Sequence, residues 1–283
     1  MFFKKKIFFL LIIKQLSFVY ACDSLATLDL EKSLPSCTAQ SFQRPKDISS
    51  EAGIERLKEI RATCLALEDF IPNKSLNLFL GRSVNWFAAT QTYRFEKSHS
   101  THKGLWKAVH FSGGSSLTEV DDDTFYTAEE LNGYKEYLCS LNITPETITQ
   151  ATGGIYLIDF ILMGRTMRQF SKILTDWCAE EMPLTPLPTI NFIDISFTRN
   201  YRDNFDHELI LSPPPTQFLL SPETMNPFIH AKGEDDIGKD HSLLCSFTPD
   251  SWINWESVLS NYQPTKKTLA MHKELKQYLK HFR

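Results

Sequence analysis

The chain has 283 residues, 42% hydrophobic and 23% charged, which bounds it to one large domain or two small ones with a real core. Residues 1–21 carry four lysines and no acids, so the remainder has 26 basic against 34 acidic residues, a net charge of −8. That balance argues against nonspecific nucleic-acid binding, which rests on basic surface.

In chain order, residues 1–21 read as a secretory signal peptide. Lys4, Lys5 and Lys6 form a basic start, Ile7 to Ile13 a short apolar run, and Val19-Tyr20-Ala21 a cleavage position. Lys14 interrupts the run, so no stable transmembrane span is expected there. The expected location is secreted or periplasmic, and Cys22, directly after the cleavage position, offers a lipoprotein anchor. A leader that does not function leaves the chain cytoplasmic. Residues 22–50 are polar and irregular, with Pro35 and Pro45, and read as an N-terminal arm.

Ser50-Glu51 opens a helix with apolar positions Ile54, Leu57, Ile60, Cys64 and Leu67, and Pro72-Asn73 ends it. Leu76 to Leu80 is a short strand, followed by Gly81-Arg82-Ser83 and a helix from Trp86. Leu105 to Ser112 is the next strand, closed by Gly113-Gly114. The acidic stretch 115–135, with Asp121-Asp122-Asp123, leads into a helix around Ala128 to Leu141, and a helical turn spans Pro145 to Gln150. Ile155 to Asp159 is a buried strand, and a Gly-containing turn then enters a helix from about Thr166 through Met167, Phe170, Ile173, Leu174 and Trp177. After Pro183, Pro186 and Pro188 comes a strand at Ile190 to Phe197. Leu209 to Leu211 and Phe218 to Leu220 are weaker strand signals, and the segment from Trp252 to Arg283 is amphipathic and helical at its end.

Strands alternating with helices predict an α/β fold with a mostly parallel sheet flanked by helices, a Rossmann-type core over 51–200 and a C-terminal extension over 201–283 packed on it. Its crossovers should be right-handed. Sites in such sheets lie beyond the C-terminal ends of the strands.

Six cysteines are scattered and none forms a C-x-x-C pair, so zinc and thioredoxin readings have no support. Cys22 and Cys37 could pair across a short loop in an exported chain; Cys64, Cys139 and Cys178 read as buried thiols in apolar segments. His110 has no partner in sight, and Asp206-His207-Glu208 alternate sides on a strand. No G-x-S-x-G elbow supports serine catalysis. Trp252, Trp255 and Phe247 read as packing for the C-terminal segment, and Asn73-Lys74-Ser75 and Asn142-Ile143-Thr144 match glycosylation triplets.

Two strand-to-helix turns carry the chemistry. In the first, Gly81 permits a close backbone approach, Arg82 offers a fork for phosphate oxygens, and Ser83 can cap a helix or bond an oxygen. In the second, Asp159 ends an apolar strand, where a carboxylate is costly unless it meets solvent or a ligand, and Gly164-Arg165-Thr166 shape an anion cup at a helix start. Phosphate goes to the helix N–H groups, and the acid takes sugar hydroxyls.

Together the two turns resemble those of the phosphoribosyltransferase family, in which strand–Asp–loop–Gly–x–Thr/Ser–helix holds the ribose 5-phosphate of phosphoribosyl pyrophosphate and an earlier glycine loop holds the pyrophosphate. The resemblance covers about residues 50–200. It implies that Asp159 is the catalytic acid touching ribose hydroxyls. It also implies that the Met163, Gly164, Arg165, Thr166 and Met167 backbone binds the 5-phosphate, and that Gly81, Arg82 and Ser83 bind pyrophosphate. Mg²⁺ would ride on the diphosphate of a catalytically active protein, and a loop within 115–135 would close over it. Phe160 stands where many members have a second acid, and the loop from Asp159 to Gly164 is one residue short of the commonest form.

The expected function is therefore binding of phosphoribosyl pyrophosphate or a similar small phosphorylated ligand, with phosphoribosyl transfer at the anomeric carbon. An exported compartment is a poor place for that ligand. This favours the alternative, a secreted, non-catalytic binding or interaction protein on the same scaffold. A third reading is a different α/β hydrolase or transferase with an unidentified base.

Overall fold

The computed structural model describes residues 53–97, 100–112, 126–161, 164–197, 211–221, 224 and 242–281. The chain divides into residues 1–46, none of them described, and the compact unit Asp47–Arg283. The signal segment, the arm, Cys22 and Cys37, Asp121-Asp122-Asp123, Met163 and Asp206-His207-Glu208 lie outside the described residues. No helix among the described residues is long and apolar enough to cross a membrane.

Within the unit, the order is α1 (Ile54–Phe70), β1 (Leu76–Leu80), α2 (Asn85–Glu96), β2 (Leu105–Val109), α3 (Ala128–Ser140), α4 (Pro145–Thr149), β3 (Ile155–Asp159), α5 (Arg165–Glu181), β4 (Ile190–Phe197), β5 (Thr216–Leu220), α6 (Pro249–Trp252), α7 (Trp255–Asn261) and α8 (Lys266–His281). Five strands form one sheet in the order β2-β1-β3-β4-β5, and every pair is parallel. A parallel strand can be reached only by a crossover, and the helices supply it.

The strands that the sheet encloses are mostly apolar. All five residues of β1 and all five of β3 are buried, because helices cover both faces. Edge strand β2 is mostly half-buried, and edge strand β5 alternates. From β1 the chain steps to β2 on one side, then returns to β3 on the other. Crossovers of one hand that travel in opposite directions must lie on opposite faces. Accordingly α1, α2 and α8 share one core with Phe79, Ile158, Ile193 and Phe218, while α3, α4 and α5 share the other with Leu78, Leu157 and Phe192. The buried stripe of α5 is Met167, Phe170, Ile173, Leu174, Trp177 and Cys178, the helical period read in the sequence. Beyond residue 200, β5 belongs to the sheet and α8 to the first core.

Two expectations change. β2 stops at Val109 instead of Ser112, because the next residues bond to α3 and to the 242–248 segment. Cys139 is exposed, since Tyr134, Tyr137 and Leu138 take the inner face of α3 and Cys139 falls just past it. Cys64 and Cys178 are buried as expected.

Buried charge gathers where α1 and α2 end, ahead of β1 and β2. Arg94 grips Glu68 by two bonds of 3.0 and 3.1 Å, and Gln91 and Ser100 add bonds to the same carboxylate. This network is structural: it lies at the N-terminal edge of the sheet, opposite the edge where ligands bind.

Candidate functional site

β1 and β3 are hydrogen-bonded neighbours in register from Leu76 with Ile155 to Phe79 with Ile158. They flank the point where the strand order reverses, so their following turns sit side by side at the C-terminal edge. The first turn begins at Gly81 with φ +69°. Its N–H donates to the Val109 carbonyl at 2.8 Å, and a Cβ on it would lie 2.8 Å from the Phe111 carbonyl oxygen. The close approach that the glycine permits is thus to the chain leaving β2. Ser83 does not cap: the N-cap position of α2 is Val84, without a side-chain bond. Asn85 secures the turn instead. Its Nδ2 donates to the Arg82 carbonyl, and its Oδ1 accepts from the Leu243 N–H at 3.0 Å.

The second turn reaches α5 through Gly164, the N-cap residue, with φ +83° and ψ 0°. A Cβ there would lie 2.6 Å from Leu211 Cγ. No side chain caps α5, so the positive end of a 17-residue helix carries no side-chain acceptor at its N-cap. Arg165 is exposed, Thr166 half-buried, and the Met167 side chain buried in the core.

Next to the second turn lies an acid pair. Asp159 of β3 is in register with Asp194 of β4, and both are buried. Asp159 Oδ1 accepts the Phe160 N–H at 2.7 Å; Asp194 Oδ1 accepts the Ile161 N–H at 2.9 Å, and its Oδ2 lies 3.4 Å from Gln217 Nε2. Burial drives the Asp159 pKa well above the carboxylate range; the Phe160 N–H opposes this and the neighbouring Asp194 adds to it. Asp159 is therefore largely shut off from solvent. Among the described residues no group of three or more His, Cys, Asp and Glu could hold a metal ion.

A further pair lies at the same edge, unmarked in the sequence analysis. His110 follows the last residue of β2, and its Nδ1 is 3.4 Å from Cys245 Sγ. Two tyrosines of α3 hold the His110 backbone: its N–H donates to Tyr137 Oη at 2.8 Å, and its carbonyl accepts from Tyr134 Oη at 3.0 Å. The ring meets Tyr137 and Phe247 edge-on. Burial lowers the His110 pKa, with a hydrogen bond to the Cys245 backbone working the other way. Burial raises the Cys245 thiol, while its own backbone and the charge of Arg82 oppose that. The only sequence signal was a histidine at a strand end; its partner lies 135 residues away.

Comparison with protein-family models, with curated proteins and with solved structures returns no match.

Proposed function

We propose that this edge binds a phosphorylated ribose of the phosphoribosyl pyrophosphate type. The supporting observation is adjacency: the Gly81 and Gly164 turns end hydrogen-bonded neighbours β1 and β3 at the reversal of strand order. In this reading the N–H groups of Gly164 to Met167 take the 5-phosphate at the uncapped start of α5. Gly81, Arg82 and Ser83 take the pyrophosphate, and Mg²⁺ arrives on the diphosphate rather than in a protein cage. Asp159 is the acid nearest the ribose.

Transfer and simple binding differ in what they ask of Asp159. Burial favours its neutral form, and its Oδ1 is engaged by the Phe160 N–H. That favours binding without transfer. Calorimetry with phosphoribosyl pyrophosphate and Mg²⁺ tests the common part: heat of binding that Arg82→Gln weakens is expected, and no heat from the wild-type chain overturns the proposal. Asp159→Asn separates the variants. Binding kept at wild-type strength supports the non-catalytic form; binding lost, with pyrophosphate release by the wild type, supports transfer.

A further inference from the structure

The Cys245–His110 pair is built from three separate parts of the chain and is held at several points. His110 leaves β2 between two tyrosine hydroxyls of α3. Cys245 sits on a segment pinned at several points. Leu243 N–H bonds Asn85, Tyr262 Oη donates to the Ser242 carbonyl at 2.8 Å, and Trp252 Nε1 donates to the Phe247 carbonyl at 3.1 Å. Ser112 and Phe247 exchange two more bonds, from Ser112 N–H to the Phe247 carbonyl and from Phe247 N–H to Ser112 Oγ. Such fixing is what a catalytic pair needs and a packing cysteine does not. The pair also lies beyond the C-terminal end of a parallel strand, where sites in such sheets occur. Cys245 is 8% exposed and His110 is half-buried, so the thiol stands at the rim of the core.

We propose that Cys245 is a nucleophile and His110 its general base, acting on acyl compounds that carry an anionic group, with Arg82, on the turn that Asn85 ties to the Cys245 segment, receiving that group. In the Nε2–H tautomer, His110 Nδ1 accepts the thiol proton as Sγ attacks the carbonyl carbon. The carbonyl π electrons move to oxygen and return, the bond to the leaving group breaks, and the imidazolium gives its proton to that group. Water then attacks the thioester with His110 again as base. The carboxylic acid leaves and the Cys245 thiol is restored. A buried, neutral thiol beside a neutral imidazole suits this order, in which the proton moves during attack.

The proposal goes beyond phosphate binding, and its main test leaves the phosphate subsites untouched. The full chain is mixed with p-nitrophenyl acetate, a neutral ester, and nitrophenolate is followed while the acetyl group is mapped by peptide mass. Acetylation of Cys245 is expected, falling on the order of 100-fold in His110→Gln. In the wild type its rate should rise with pH below the usual histidine range and then level off, because the base, lowered by burial, and not free thiolate sets it. Acetyl phosphate, an anionic acyl donor, should lose more rate than the neutral ester when Arg82 becomes Gln. Acetylation of exposed Cys139 but not Cys245 overturns the proposal. So does a Cys245 rate that His110→Gln leaves unchanged, or one climbing tenfold per pH unit into the thiol range. If His110→Gln does not fold, judged by near-UV circular dichroism, the wild-type pH profile decides. Equal loss of both donors in Arg82→Gln removes Arg82 from the scheme.

Discussion

Gly81→Ala separates a glycine required by the fold from one kept for a ligand. Gly81 has φ +69°, so alanine there incurs left-handed strain of about 1–2 kcal/mol. Its Cβ would also stand 2.8 Å from the Phe111 carbonyl oxygen, a backbone atom that cannot rotate away. Relieving that contact means moving the chain that leaves β2, an overpacking cost of about 1–3 kcal/mol. The sum is about 2–5 kcal/mol, or a melting temperature lower by about 4–20 °C for a unit of this size. Gly164→Ala is the control. It has similar φ, +83°, but its Cβ would meet Leu211 side-chain atoms, which can shift. Urea unfolding of the ligand-free chain, followed by tryptophan fluorescence, should therefore rank Gly81→Ala as the more damaging. If Gly81→Ala unfolds within about 0.5 kcal/mol of wild type, the range of an ordinary surface change, the steric reasoning fails. The glycine's role would then lie with the ligand.

Glu68→Gln should lower stability by about 3–5 kcal/mol in urea titration, because it strips the anion from Arg94, whose side chain is only 5% exposed; an unchanged midpoint would show the pair to be dispensable. Asp159→Asn should act through pH. The folded-state pKa is raised by burial, so the contribution of Asp159 is fully present below its unfolded value of about 3.9 and is lost as pH rises through the folded value. The variant should match wild type near pH 4 and exceed it near pH 8. A variant weaker than wild type near pH 8 would mean that Asp159 works as an anion.

The central sheet was legible because burial on both faces makes its strands mostly apolar. Leu76 to Leu80, broken only by Asn77, and Ile155 to Ile158 ahead of Asp159 are apolar runs, and the strands have the expected bounds. Edge strand β5 was faint for the opposite reason: Gln217 and Leu219 lie on its less covered side. Boundaries set by tertiary bonds were not legible. His110 to Ser112 look like more strand, but their polar groups go to Tyr134, Tyr137 and Phe247. Ser83 looked like a helix cap, yet Asn85, two residues further, secures the loop. In the site, the glycines were readable by type, whereas Asp194 entered only through strand register and Cys245 only through a distant contact.

Asn85 ties the two proposals into one piece of chain. Through Nδ2 it holds the Arg82 carbonyl, and through Oδ1 it holds the segment that carries Cys245. The backbone segments that carry Arg82 and Cys245 are thus tied together by a single buried amide. Its rotamer is confined by bonds at both ends, and such support is what keeps reacting groups in register. The raised thiol pKa bears on which chemistry that register serves. A resting thiolate would attack without help from a base. A thiol kept protonated by burial, 3.4 Å from a neutral imidazole, needs its proton taken in the act of attack. That requirement is met by an electrophile brought to the thiol and oriented there, and Arg82 lies on the turn that Asn85 ties to the Cys245 segment.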